Sequence, residues 1–116
     1  MNSSDYSALS KQLLDHAASV QASKRPEYTQ LSADVLANFK NVGQRLGLAP
    51  GQVLLVYLEK HLDAIRTMLN DPTVPLSEPA IGRFGDAINY LQLAYALFME
   101  AYDHRATAPE FIGRDH

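Results

Sequence analysis

Ser77-Glu78-Pro79-Ala80-Ile81-Gly82-Arg83-Phe84-Gly85-Asp86-Ala87-Ile88-Asn89-Tyr90-Leu91 reads as the first half of a helix that is apolar nearly all round. At about 100° per residue, Ile81, Phe84, Ile88, Leu91, Tyr95 and Phe98 fall on one side of it. Gly82, Asp86, Asn89, Tyr90, Leu93 and Leu97 fall on the other. Ser77 is a ready N-cap, Pro79 suits a first turn, and the pattern continues to about Asp103. Arg83, Asp86 and Asn89 nevertheless sit within two turns of this helix. Burying such groups is costly unless they are paired or hold something. The stretch therefore sets the fold class and marks where to look for a site.

The helix before it has the same double character. From Pro50 to about Leu69, one side carries Leu55, Leu58, Leu62, Ile65 and Leu69, and the other Val53, Val56, Tyr57, Lys60 and Ala64. A helix apolar on two sides is buried on two sides. In a domain this small the simplest second cover is another subunit, so the third and fourth helices predict a homo-oligomer, a dimer or higher. Gly82 and Gly85, each costing roughly 1 kcal/mol against alanine inside a helix, fit a close helix–helix approach or room for a ligand.

Two earlier helices complete an all-α reading. The first follows Ser3, Ser4 and Asp5, carries Leu9, Leu13, Ala17 and Val20, and should end near Lys24 because Pro26 disfavours helical geometry before it. The second begins after Ser32, with Val35, Leu36, Phe39, Val42 and Leu46 as its stripe and Gly47 as its stop. Asn70-Asp71-Pro72-Thr73-Val74-Pro75 is the clearest loop. The expectation is a compact bundle of about four helices over residues 1–104, with 105–116 a C-terminal tail.

Composition narrows the classes. At 116 residues and 47% hydrophobic, the chain suits one domain with its own core. Ten basic against thirteen acidic residues, with no run of like charge, disfavour a nucleic-acid groove or an anionic membrane surface. There is no cysteine, which fits a reducing compartment. The polar start Met1-Asn2-Ser3-Ser4-Asp5 lacks the apolar centre of a signal peptide, and no apolar stretch reaches the length of a membrane span. A cytoplasmic protein, with neither nucleic acid nor membrane as partner, is expected.

Tyr28, Ala37-Asn38-Phe39-Lys40, Glu59-Lys60-His61-Leu62-Asp63, Ser77-Glu78-Pro79 and Arg83-Phe84-Gly85-Asp86-Ala87-Ile88-Asn89-Tyr90-Leu91 follow one another in an order that resembles a known group. These are the small phage-borne all-α proteins called nucleotide-modification-associated domains, distant relatives of the all-α NTP pyrophosphohydrolases. The resemblance covers roughly Arg25 to Asp103, and its most specific piece is Asp-x-x-Asn-Tyr preceded by a lysine one helix earlier. It implies a nucleotide or nucleotide-derived ligand and a phage or prophage setting, hence host cytoplasm, with Lys60, Asp86 and Asn89 as carried-over polar residues.

The pyrophosphohydrolase relatives hold Mg²⁺ with paired carboxylates on two helices, the oxygen-rich set a hard cation demands. Here Glu59 and Asp63 form one i,i+4 pair, while Asp86 stands alone with Asn89 where a second acid belongs. Three carboxylates are few for a two-metal site. The leading expectation is therefore a binder that sequesters its ligand without catalytic residues or a cofactor, in a pocket between the third and fourth helices at a subunit interface. Lys60 and Arg83 would meet phosphate, Asp86 and Asn89 a base or ribose, and Tyr90 or Tyr57 the ring, with Asn38 nearby. Two alternatives stand beside it: a Mg²⁺-dependent pyrophosphohydrolase with Glu59, Asp63 and Asp86 as ligands, and a structural adaptor with no ligand.

Each candidate also has a plainer reading. Arg83 and Asp86 form a possible i,i+3 pair, and Lys60 and Asp86 a possible interhelical one. Glu59 and Asp63 suit a solvated flank, Tyr57 and Tyr90 suit packing, and Asn38 suits a backbone cap. His16 and His61 read as core or boundary histidines.

Overall fold

The computed structural model describes residues 1–28 and 34–105 and places four helices in them, with no strand among the described residues. They are α1 (Ser3–Tyr28), α2 (Ala37–Leu46), α3 (Pro50–Asn70) and α4 (Ala80–Arg105). The all-α expectation holds. The expected tail beyond Arg105 and the expected start after Ser32 lie outside the described residues.

Local chemistry sets the boundaries. The side chain of Asp34 accepts the Leu36 N–H at 2.8 Å, and this turn leads into α2 at Ala37. Gly47 closes α2 at φ +71°, a left-handed position that suits glycine, and donates its N–H to the Gly43 carbonyl. Pro50 opens α3, where the Gln52 side chain reaches back to accept the Ala49 N–H at 2.8 Å. Two boundaries differ from expectation. α4 starts at Ala80 rather than after a Ser77 cap, because Pro79 steers Glu78 away from helical geometry. α1 runs on to Tyr28, past Pro26, rather than ending near Lys24.

α4 stands between two neighbours. α3 packs antiparallel to it, so that Gly51 approaches Leu97 at one end and His61 approaches Asp86 nearer the other. α1 packs parallel to it: His16 lies against Gly85, Ala17 against Asn89, and Gln21 against Gln92. A Cβ built on Gly85 would stand 3.0 Å from His16 Cδ2, so this glycine lets α1 come close. α2 lies on α3 and is tied to α4 by Lys40, whose Nζ is 2.6 Å from Asp34 and 2.7 Å from Glu100.

Leu36, Phe39, Val53 and Leu54 form the centre of the core, with Val42, Leu93 and Leu97 packed around them. Leu54 is 1% exposed. Leu54→Ala should cost roughly 2–5 kcal/mol of unfolding free energy, through lost burial and the cavity left behind. Chemical denaturation would show that loss as a lower midpoint.

The faces of α4 are used differently from expectation. The side bearing Asp86, Asn89, Tyr90, Leu93 and Leu97 turns inward, between α1 and α3. The other stripe is the more open one: Leu91, Tyr95 and Phe98 are 56%, 68% and 57% exposed. α1 and α3 have already covered the other two flanks, so this third flank is left uncovered.

Candidate functional site

The parallel packing of α1 on α4 leaves a cavity of about 290 Å³ between them, closed by His61 from α3 and Val35 ahead of α2. α1 contributes Val20, Gln21, Lys24 and Arg25, and α4 contributes Asp86, Asn89, Tyr90, Gln92, Leu93 and Ala96. Its size is near the lower end for small-molecule sites. The lining is ordered along the helices. Asp86, Asn89 and His61 gather at one end, beside Ala17, while Lys24 lies seven residues further along α1, about 10 Å at 1.5 Å per residue. Between these ends run Val20, Leu93 and Ala96, with the Tyr90 ring as one wall.

The carboxylate end is short of partners. Asn89 Nδ2 donates to the Ala17 carbonyl at 3.0 Å, while Asn89 Oδ1 is buried with no hydrogen-bond partner. His61 Nδ1 is likewise buried without one, and Asp86 Oδ2 is 3.9 Å away, beyond hydrogen-bonding distance. Burial lowers the His61 pKa from 6.5, which outweighs the opposite pull of Asp86; Arg83 and Lys60 add to the lowering. The ring is therefore neutral at pH 7. Its folded pKa lies below its unfolded one, so the unfolded chain takes up the proton first as pH falls through 6.5. Stability fully present above pH 6.5 is lost as pH drops through the folded value. Urea titrations from pH 7.5 to 5 should show this decline, and His61→Gln should flatten it.

The rings are stacked in a column. Tyr90 lies between His61, with centroids 5.3 Å apart and planes 30° apart, and Tyr57, at 6.2 Å and 14°. Phe39 meets both tyrosines edge-on. Such contacts hold the Tyr90 wall in place, each worth about 0.5–1.5 kcal/mol beyond burial. At the cationic end Gln21 bridges the helices, donating to Gln92 Oε1 at 2.7 Å and accepting from Arg25 at 3.3 Å.

Of the residues singled out from sequence, Asp86, Asn89 and Tyr90 line this cavity together. Tyr57 and Asn38 line a smaller neighbouring hollow of about 120 Å³, which shares Val35, Tyr90 and Leu93 with it. Lys60 is exposed and lines neither. Arg83 points elsewhere: its Nε is 3.1 Å from Glu78, beside a separate hollow lined by Ala64, Thr67 and Met68. Arg83 therefore pairs with Glu78 in place of Asp86, and His61 takes the position beside Asp86 considered for Lys60.

The three carboxylates of the Mg²⁺ alternative are not gathered into one group among the described residues. Glu59 and Asp63 are exposed and both held by Arg66, at 3.4 and 2.7 Å. Among the described residues no group of three or more His, Asp or Glu is placed to hold a metal ion. The cavity also recruits residues the sequence reading passed over. Lys24 stands at the expected end of the first helix before Pro26, and Arg25, Gln21 and Gln92 are not among the candidates. Their common signal is i,i+3 and i,i+4 spacing down α1 from Ala17, which marks a face only once α1 is known to lie beside α4.

No helix among the described residues is long and apolar enough to cross a membrane. No protein-family model, curated protein or solved structure matches this chain, so the cavity must be read from its own chemistry.

Proposed function

We propose that the chain binds a nucleotide or nucleotide-derived signal in the α1–α4 cavity and sequesters it without turnover. The observation that carries this reading is the polarity of the cavity: hydrogen-bonding groups without partners at one end, two cations at the other, and an aromatic wall between. A base needs a flat apolar surface and edge partners, and a phosphate needs cationic donors. Lys24 and Arg25 thus take the phosphate role first considered for Lys60 and Arg83. The resemblance to nucleotide-modification-associated domains supports the same ligand class and a phage setting, and a nucleotide ligand suits the cytoplasm. For the pyrophosphohydrolase alternative, the arginine-bound state of Glu59 and Asp63 is unfavourable.

The test is depletion. Stoichiometric protein is mixed with a panel of nucleotides and cyclic nucleotides with Mg²⁺, and free ligand is measured in the filtrate. A ligand that disappears and returns intact from heat-denatured protein is the expected result. A ligand returned cleaved would establish the enzyme alternative, and an unchanged panel would favour the structural one.

A second copy of the chain is the fitting cover for the open flank of α4. Phe84, Ile88, Leu91, Tyr95 and Phe98 run along it with no charge on the stripe, and Phe98 packs on Tyr102 at 5.7 Å. A self-complementary stripe on one helix suits a two-fold axis.

A further inference from the structure

The carboxylate end of the cavity is selective in a way that the nucleotide reading leaves open. Asn89 cannot turn its amide nitrogen toward a ligand. Nδ2 donates to the Ala17 carbonyl, which can only accept, and this fixes Oδ1 as the atom left over, buried and without a partner. Three residues earlier on the same face is Asp86, whose ionised carboxylate is acceptor-only. His61 beside it offers one ring N–H in its neutral form. A ligand entering this end therefore meets the Asp86 carboxylate first, and reaches Asn89 Oδ1 and His61 Nδ1, both shielded from solvent, only by displacing the atoms that cover them.

The common bases differ in what they bring to such a set. Uracil and thymine present one N–H between two carbonyls, and a carbonyl facing Asp86 or Asn89 Oδ1 would be repelled. Adenine and cytosine place an amino group beside an unprotonated ring nitrogen, which would face the carboxylate lone pairs. Guanine alone has N1–H and a 2-amino group side by side. That pair matches the two oxygens of one carboxylate, leaves an amino hydrogen for Asn89 Oδ1, and sets O6 next to N1 for a histidine N–H. The Tyr90 ring, already stacked on His61, is the flat wall beside this edge.

We infer that the cavity prefers a guanine nucleotide, held by its N1–H and 2-amino edge at Asp86 and Asn89, with its phosphate toward Lys24 and Arg25. This rests on the nucleotide reading of the same cavity. A site built to accept N–H donors rejects analogues that lack them, because its own polar groups are then left unpaired.

The test is calorimetric titration of the full chain with GMP, IMP, AMP and UMP. IMP keeps N1–H and O6 but lacks the 2-amino group. It should bind about 10- to 100-fold more weakly than GMP, the worth of one hydrogen bond to a charged acceptor. AMP and UMP should be weaker still. Asp86→Asn, nearly the same shape, should bring GMP down to the level of AMP, with circular dichroism confirming an intact fold. Equal binding of all four overturns the guanine preference and leaves the nucleotide reading standing. No binding of any overturns both. A GMP preference that survives in Asp86→Asn, or a preference for AMP or UMP, overturns the assignment of the edge to Asp86.

Discussion

Asp86→Leu is expected to abolish nucleotide binding, by about 100-fold or more, while leaving the fold at or above wild-type stability. The two effects separate because this carboxylate does little for the fold. Its side chain is 27% exposed, and the histidine beside it is 3.9 Å away and kept neutral by burial. An ion pair with an uncharged partner contributes no Coulomb gain, so replacing the carboxylate by an apolar group removes a desolvation cost. Leucine would also extend the apolar wall of Val20 and Leu93 toward Ala17. The bound ligand, by contrast, loses its charged acceptor and meets a filled cavity. Thermal unfolding and titration on one sample would check both halves. Retained binding would remove Asp86 from the site; a fall in stability of several degrees would make it a structural residue instead.

The second large effect concerns assembly. Tyr95→Glu with Phe98→Glu should convert a wild-type dimer into a monomer of 12.8 kDa in light scattering. Both rings are more than half exposed on the same flank of α4. Burying about 100 Å² of each, at ~25 cal/mol/Å² and on both copies, is worth on the order of 10 kcal/mol across a two-fold interface. A micromolar dimer is held by about 8 kcal/mol, so losing that burial and adding two like charges per copy exceeds what the interface contributes. The helical fold should persist, because neither ring belongs to the core around Leu54. A wild-type chain already monomeric at micromolar concentration would contradict the two-fold reading.

How far the sequence reached is clearest in α3 and α4. Their existence, the start of α3 at Pro50 and their double apolar character follow from periodicity and proline placement, while the start of α4 falls at Ala80, past the expected Ser77 cap. Which of the two faces would be covered inside the chain does not follow, because both are apolar enough to serve. Asp86, Asn89 and Tyr90 stood out because polar groups in an apolar helix need a reason. Lys60 was a near miss of one residue: a step of about 100° separates it from His61, so the rotation of α3 about its axis decides which of them faces α4. The pairing of α1 with α4 left no legible sign. Its polar anchor is the Asn89 amide on a backbone carbonyl, and every residue has one of those. Without that pairing, Gln21, Lys24 and Arg25 read as solvated surface, and half the cavity is invisible. The loss of Glu59 and Asp63 to Arg66 was open to inspection, since Arg66 follows them by seven and three residues, both helical spacings.

The most direct measurement is a two-dimensional ¹H–¹⁵N spectrum of the side-chain amides, recorded while GMP is titrated into the full chain. Gln21, Asn89 and Gln92 line opposite walls of the cavity, and each carries an amide that reports on its occupant. The cavity account expects those three resonances to move together and saturate at one ligand per chain, with Asn41 and Asn70 unmoved. Saturable binding that shifts other amides and leaves these three in place would put the ligand elsewhere and contradict it.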